Sequence, residues 1–109
     1  MSKITTHVLD TELGKPASGI AVRLEAKQAN AWTSAGSSVT DSDGRCRDLV
    51  ENAAAGVYRL TFETAEYFQR NGRESIYPEI SVTFTCNGEA HFHLPLLLSG
   101  NSYTTYRGS

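Results

Sequence analysis

Apolar and polar residues alternate with a period of two in several short runs of this chain. The run from Ile20 to Lys27 places four apolar residues on one side: Ile20, Val22, Leu24 and Ala26. Val57–Glu63 and Ile80–Cys86 repeat the pattern. Because successive side chains of a strand point to opposite faces, each run predicts a half-buried β-strand. Turn signals such as Asp43-Gly44 and Asn87-Gly88 separate the runs. The sequence therefore predicts an all-β sandwich or barrel, with residues 1–109 forming one domain.

One segment departs from this alternation and favours a short helix. Thr64 can cap a helix that continues through Ala65–Arg70, and Asn71-Gly72 supplies a glycine suited to the left-handed position after a helix. We expect a single helix of about two turns.

Charge and hydropathy exclude several classes of partner. Lys and Arg total 10 against 12 Asp and Glu, and the basic residues are scattered, so a nucleic-acid partner is not expected. The longest apolar stretch, Leu94–Leu98, is far too short to span a bilayer, so no membrane segment is expected. The residues Met1–His7 lack the apolar core of a secretory signal, which predicts a cytoplasmic protein with Cys46 and Cys86 reduced.

Three histidines are candidates for chemistry. Strand parity places His7 on the face of Thr5 and Leu9, and it places His91 and His93 together on the face opposite Phe92 and Leu94. A His-x-His pair can bind a metal, but no further ligand follows at a recognisable spacing. We therefore expect no metal and no cofactor.

Two further elements could contribute to a site. The turn Asp41–Gly44 delivers Arg45 to the start of a strand; it is similar to a calcium loop but has Asn52 where the twelfth-position glutamate would stand. Arg45 is thus either a functional cation or a solvated charge. The run Tyr103–Ser109 is strand-like and keeps aromatic and basic residues to its end, where chain termini are usually small and polar. This pattern predicts a tail that docks.

These residues together resemble a known family. The carriers of the resemblance are His7-Val8-Leu9-Asp10, Asp43-Gly44-Arg45, His93–Ser99 and the terminal Tyr106-Arg107-Gly108-Ser109. The chain looks like the 5-hydroxyisourate hydrolases, the transthyretin-related enzymes of urate breakdown. The similarity spans the whole chain, and the terminal tetrapeptide is its most specific signal because the hormone-carrying transthyretins lack it.

The resemblance implies a fold, an assembly and a site. It implies a transthyretin-like eight-stranded β-sandwich of two four-stranded sheets with one short helix, in which the first, fourth, seventh and eighth strands form one sheet. It also implies a homotetramer with active sites at the interface between dimers. The implied catalytic residues are His7, Arg45, His93 and Ser109, and the implied substrate-binding residues are Tyr106, Arg107 and Gly108.

The implied reaction is hydrolysis of 5-hydroxyisourate to 2-oxo-4-hydroxy-4-carboxy-5-ureidoimidazoline. A histidine would activate water, with His7 and His93 sharing the proton transfers, and Arg45 would stabilise developing negative charge or bind substrate. Which histidine is the base stays open, and Ser109 is expected as a pocket residue rather than a nucleophile. Two alternatives are a transthyretin-like carrier of small molecules without catalysis and an immunoglobulin-like interaction module.

Overall fold

The computed structural model describes residues 1–108 and arranges them as two stacked β-sheets with one short helix; Ser109 lies outside the described residues. The strands have these bounds: β1 Ser2–Asp10, β2 Lys15–Pro16, β3 Ala21–Gln28, β4 Ala31–Val39, β5 Arg45–Ala53, β6 Gly56–Phe62, β7 Ile80–Cys86, β8 His91–Leu98 and β9 Tyr103–Thr105. The helix α1, Thr64–Arg70, lies between β6 and β7.

The two sheets have the arrangement that the resemblance implies. One has the order β4-β3-β6-β7, and in the other β8 and β9 lie on one side of β1 while β5 pairs with its opposite edge. The two-residue strand β2 pairs with Leu9 and Asp10 of β1, on the side of β1 that faces away from β8. Apart from this short strand, the second sheet is formed by the predicted first, fourth, seventh and eighth strands.

The core lies between the sheets and follows the predicted strand parity. Ile20, Val22 and Leu24 are fully or almost fully buried, as are Ile4 and Val8 of β1. On β8, Phe92 and Leu94 are buried, while the alternating residues His91 and His93 face the other way. The inner face of the β1–β8 pair is thus apolar, and its outer face is left for polar groups.

The helix is where it was predicted, but the prediction for its start was wrong. Thr64 is the first helical residue rather than the cap, and its hydroxyl donates to the Tyr77 carbonyl at 2.7 Å, which ties α1 to the following loop. At the other end Gly72 has φ +63°, and the Gly72 and Arg73 amides donate to Gln69 and Phe68. This double closure is a Schellman motif. Within residues 1–108 no helix is long and apolar enough to cross a membrane.

Candidate active site

The outer face of the β1–β8 pair gathers the histidines. These two strands are parallel and in continuous register, with Thr5 beside His93 and Lys3 beside His91. The antiparallel strand β5 places Arg45 opposite His7 on the other edge of β1. His7, Arg45 and His93, which are far apart in sequence, therefore lie on one face because their three strands are neighbours.

A cavity of about 250 Å³ opens on this face. Its lining is mostly basic or imidazole-bearing: Lys3, Thr5, Thr6, Arg45, Arg47, His91 and His93. No carboxylate lines it among the residues that the structure describes. Lys3 and Arg47 are each paired with a carboxylate outside the lining, Glu51 at 3.8 Å and Asp41 at 3.3 Å, whereas Arg45 has no carboxylate partner among the described residues. The surface therefore favours an electron-rich or anionic ligand through Arg45 and the imidazoles.

Thr5 joins the two histidines of β8. Its hydroxyl oxygen lies 2.9 Å from His91 Nε2 and 2.8 Å from His93 Nδ1, both hydrogen-bond distances. The imidazole centroids are 6.0 Å apart, with the rings tilted by 47°. Since Nδ1 of His93 is occupied by Thr5, Nε2 is the ring nitrogen of His93 that remains for chemistry.

The environment of His93 keeps its ring neutral. Burial lowers the pKa of His93 from its ordinary value, and the nearby charge of Arg45 and the rings of His91 and His7 lower it further. At neutral pH the ring is therefore unprotonated and able to accept a proton, as a general base must be.

His7 has an unusual hydrogen-bonding position. Its Nε2 is buried and has no hydrogen-bond partner among the described residues. Buried polar atoms are nearly always paired, so an unpaired one marks a place where a further group is expected.

The tail docks against the strand that carries His93. The Gly108 amide donates to the His93 carbonyl at 2.7 Å, which extends the sheet past β9 by one bridge. The fit requires glycine, because a Cβ at position 108 would lie 2.8 Å from Cδ2 of the His93 ring. The tail therefore comes within contact distance of the imidazole itself.

Arg107 fixes the tail from the other side. Its guanidinium donates to the Glu89 carboxylate at 2.9 Å and lies 4.0 Å from the centroid of the Phe92 ring, a cation–π contact. Tyr106 is half exposed, and neither it nor Arg107 lines the cavity. In the described part of the chain Arg107 is thus an anchor of the tail, and the binding roles predicted for Tyr106 and Arg107 stay predictions. Ser109 is outside the described residues.

Sequence reasoning missed part of the cavity lining. Lys3 and Arg47 received no role, and His91, which was placed on the face of His93 but given no part in the site, also lines the cavity. Thr5 was assigned to the right face but not to any chemistry. The signal for Thr5 was parity combined with register: once β1 lies parallel to β8, a threonine two residues before His7 has to meet His93.

A larger cleft, about 720 Å³, lies beside α1 and is a poorer candidate. The cation in it, Arg73, is already paired with Asp10 at 2.8 Å and Glu12 at 2.8 Å. No histidine or cysteine lines this cleft among residues 1–108, so a proton-transfer group of suitable pKa is missing. Size alone does not make it the reactive site.

No group of three or more metal-binding side chains is placed to hold an ion in the described chain.

The fold and the site together define a transthyretin-like β-sandwich with a basic, imidazole-bearing outer face. A model of the HIUase/Transthyretin family matches residues 4–108. The chain belongs to this family.

Its relatives include proteins named as hydrolases. The chain is 47% identical to the 5-hydroxyisourate hydrolase of Mus musculus, over 99% of this chain and 96% of that protein. It is 46% identical to the 5-hydroxyisourate hydrolase of Salmonella dublin, over 97% of this chain and 80% of that protein.

Solved structures share the fold closely. The 5-hydroxyisourate hydrolase of Klebsiella pneumoniae has a TM-score of 0.90 and 39% identity, with all of both chains covered. Sea bream transthyretin in complex with thyroxine has a TM-score of 0.93 and 33% identity, covering 97% of this chain and 94% of that one. The backbone therefore fits hydrolase and transthyretin alike, and the side chains have to distinguish them.

Proposed function

We propose that this protein is an enzyme of urate breakdown that hydrolyses 5-hydroxyisourate, with 2-oxo-4-hydroxy-4-carboxy-5-ureidoimidazoline as the product. The observation that carries the proposal is the basic cavity around a neutral His93, with Arg45 nearby. The names of the full-length relatives support the same activity. The substrate is a compact, oxygen-rich ring, so a polar cavity with convergent cations suits it.

The first step needs a nucleophile made from water. Neutral His93 accepts a proton at Nε2 as the water oxygen attacks the ring amide carbon, and general-base catalysis of this kind typically contributes about 10²–10⁴-fold. His7, the second imidazole that sequence parity brings to this face, takes part in the proton transfers to or from the leaving nitrogen.

Arg45 has the electrostatic role. Attack on an amide carbon places negative charge on the carbonyl oxygen, and a permanently charged guanidinium lining the cavity can donate hydrogen bonds to it. One such donor is worth on the order of 3 kcal/mol in comparable oxyanion sites. Arg47 and Lys3 line the same opening, but each is paired with a carboxylate, Asp41 and Glu51, so Arg45 is the lining cation best placed to meet an electron-rich ring.

The tail completes the pocket. Gly108 touches the His93 ring, and Arg107 anchors the segment through Glu89 and Phe92. We assign Tyr106 and Gly108 to the substrate pocket with Arg107, and Ser109 to a position beside the substrate. The assembly we propose is a homotetramer in which the outer faces of the β1–β8 pairs meet across a channel, so that neighbouring subunits contribute to each site.

One alternative function has a specific observation in its favour. The structure of sea bream transthyretin with thyroxine has the same fold at a TM-score of 0.93, which fits a carrier that binds without chemistry. A carrier of an apolar ligand would bury that ligand against apolar side chains, whereas this cavity is lined by imidazole, guanidinium and ammonium groups.

One assay separates the two functions. Hydroxyisourate is generated by urate oxidase, and its ultraviolet decay is followed with and without this protein. We expect decay to accelerate in proportion to protein concentration. A decay rate independent of the protein, together with saturable retention of the compound, would establish a carrier instead.

A further inference from the structure

The hydroxyl of Thr5 lines the cavity between two imidazoles but has no part in the proposed reaction. Thr5 is only 5% exposed, and its hydroxyl contacts the rings of both His91 and His93. The contacted atoms differ: Nε2 of His91 and Nδ1 of His93. The free nitrogen of His93 is therefore Nε2, and the free nitrogen of His91 is Nδ1.

A hydroxyl has one proton, and this sets a rule for the two rings. The Thr5 oxygen could accept from both rings, but its own proton then needs another acceptor, and among the described residues the hydroxyl contacts only these two nitrogens. When both imidazoles are neutral, Thr5 therefore uses its proton only by donating to one nitrogen and accepting an N–H from the other. If it accepts from His93 Nδ1, then His93 Nε2 carries a lone pair and is a base. If it donates to His93 Nδ1 instead, the proton of His93 is on Nε2 and the base is lost.

We propose that Thr5 is a positioning residue that couples the protonation of His91 to the tautomer of His93. This inference rests on the proposed function for its kinetic consequence, but not for the coupling itself. Neutral His91 accepts the Thr5 proton at Nε2, and His93 is then held with its proton on Nδ1 and Nε2 free. Protonated His91 has to donate from Nε2, so the Thr5 proton turns to His93 Nδ1 and the His93 proton moves to Nε2.

The same contacts form a balanced relay. When His93 Nε2 takes a proton from water, the ring carries protons on both nitrogens. The Nδ1 proton then passes to the Thr5 oxygen, while the Thr5 proton passes to His91 Nε2. No proton is created or lost: His93 is left neutral with an N–H at Nε2, ready to protonate a leaving nitrogen, and the positive charge is on His91.

The charged groups around the cavity leave Thr5 as the partner of His93 Nδ1. The groups that face His93 come from each neighbouring strand: Lys3 and His7 of β1, Arg45 and Arg47 of β5, and His91 of β8. The carboxylates near the cavity are all paired: Glu89 with Arg107, Asp41 with Arg47 and Glu51 with Lys3. The groups that face His93 are thus cations or imidazoles. None can serve as the proton acceptor for Nδ1 of His93 in place of Thr5, because that nitrogen faces the threonine hydroxyl.

The test uses three variants of the full chain. Thr5→Val removes the hydroxyl and keeps the shape, and Thr5→Ser keeps the hydroxyl. Thr61→Val is the matched control, because Thr61 is a 2% exposed threonine of the other sheet whose hydroxyl pairs with Ser81 at 3.1 Å. The first measurement is independent of substrate: ¹⁵N-histidine spectra with long-range proton correlation report which ring nitrogen carries the proton.

We expect wild-type protein with both rings neutral to show His93 protonated at Nδ1, with a switch to Nε2 when His91 is protonated. Thr5→Val should abolish the switch, so that the tautomer of His93 no longer depends on the protonation of His91, whereas Thr5→Ser and Thr61→Val should retain it. A His93 tautomer that is the same in wild type and Thr5→Val, or an Nε2–H tautomer in the neutral wild type, would overturn the proposal. If Thr5→Val does not fold, the wild-type and Thr5→Ser spectra still decide between these outcomes.

Kinetics then connects the coupling to catalysis. Thr5→Val should lower kcat for hydroxyisourate on the order of 10- to 100-fold, the cost of a mispositioned catalytic group, with KM little changed. Its acid-side pH profile should also change shape, and Thr5→Ser should restore both. An unchanged kcat in Thr5→Val would refute the positioning role. Wild-type protein that shows the tautomer switch but no turnover would refute the proposed function and leave the coupling intact.

Discussion

The contact between Gly108 and His93 allows a single methyl group to test the site. A Cβ at position 108 would stand 2.8 Å from His93 Cδ2 and 3.3 Å from Pro95 Cγ. Carbon atoms prefer separations of about 3.5–4.0 Å, so Gly108→Ala requires the tail or the ring to move by about 0.7 Å or more. The Pro95 ring is short and rigid, which leaves His93 or the tail as the part that moves.

The magnitude follows from that displacement. Misplacing a catalytic group by about 1 Å can cost on the order of 10²-fold in rate, so we expect kcat/KM for hydroxyisourate to fall by roughly 10- to 100-fold. The unfolding midpoint in denaturant should change little, because Gly108 adds one bridge at the end of a sheet. Initial rates of ultraviolet decay and a urea titration, at one fixed protein concentration, measure the two quantities.

Gly72→Ala supplies the opposite pattern as a control. Gly72 has φ +63° with no atom within 4 Å of an added Cβ, so alanine there is strained but meets no neighbour. It should lower the free energy of unfolding by roughly 1–2 kcal/mol and leave kcat/KM unchanged. If Gly108→Ala retained kcat/KM within twofold of wild type, the close approach of the tail to His93 would have no catalytic meaning.

Three further predictions concern the base, the tail and the fold. The pKa of His93 is lowered first by burial and then by Arg45, so its basic form persists to lower pH, and the acid limb of kcat/KM should lie below the ordinary histidine value of about 6.5; a flat profile from pH 5 to 8 with full activity in His93→Ala would exclude an imidazole base. Deleting Tyr106–Ser109 should abolish turnover while circular dichroism still reports a folded β-sandwich, and an active truncated protein would disprove the role of the tail. Asp10→Asn should cost about 3 kcal/mol of unfolding free energy, measured by urea titration, because the fully buried carboxylate accepts hydrogen bonds from Arg73 at 2.8 Å and Tyr67 at 2.6 Å. Burial raises the pKa of Asp10, but the hydrogen bonds from Arg73 and Tyr67 outweigh it and lower the pKa. The contribution of Asp10 to stability is therefore present above the unfolded pKa of about 3.9 and is lost as pH falls through the lower folded pKa.

Local sequence patterns predicted several strands and the helix, whereas the arrangement of the strands in two sheets came from the family resemblance. The boundaries of β7 are those of the predicted run Ile80–Cys86, because its alternation matches a strand with one buried face. The strand β4, Ala31–Val39, gave no such signal: three of its nine residues are serine and none is fully buried, so pairing with β3 rather than burial defines it. The capping role predicted for Thr64 was wrong because the Thr64 hydroxyl donates to the carbonyl of Tyr77, thirteen residues further along the chain, and a local capping rule does not include such a distant acceptor.

The site was predicted only in outline. Strand parity predicted which face carries His7 and His93, and the family resemblance added Arg45 and the tail to the same site. Neither gives the distances between side chains on different strands. Thr5 shows the limit: its partners are 86 and 88 residues away, and only the parallel register of β1 with β8 makes them neighbours. Residues whose role depends on long-range register carry no local signature, whereas those with a special backbone position, such as Gly44 before Arg45, do.

The parallel pairing of β1 with β8 also has a consequence for how the protein is made. Eight consecutive residue pairs, from Lys3 beside His91 to Asp10 beside Leu98, join strands whose paired residues are 88 positions apart in sequence. Chains grow at about 5–20 residues per second, so β1 waits for several seconds with one long edge without its native neighbour. High contact order of this kind slows folding and exposes a strand edge to other nascent chains. The cavity lined by His91 and His93 therefore forms only when β8 has emerged, and a nascent chain that ends before β8 lacks this cavity.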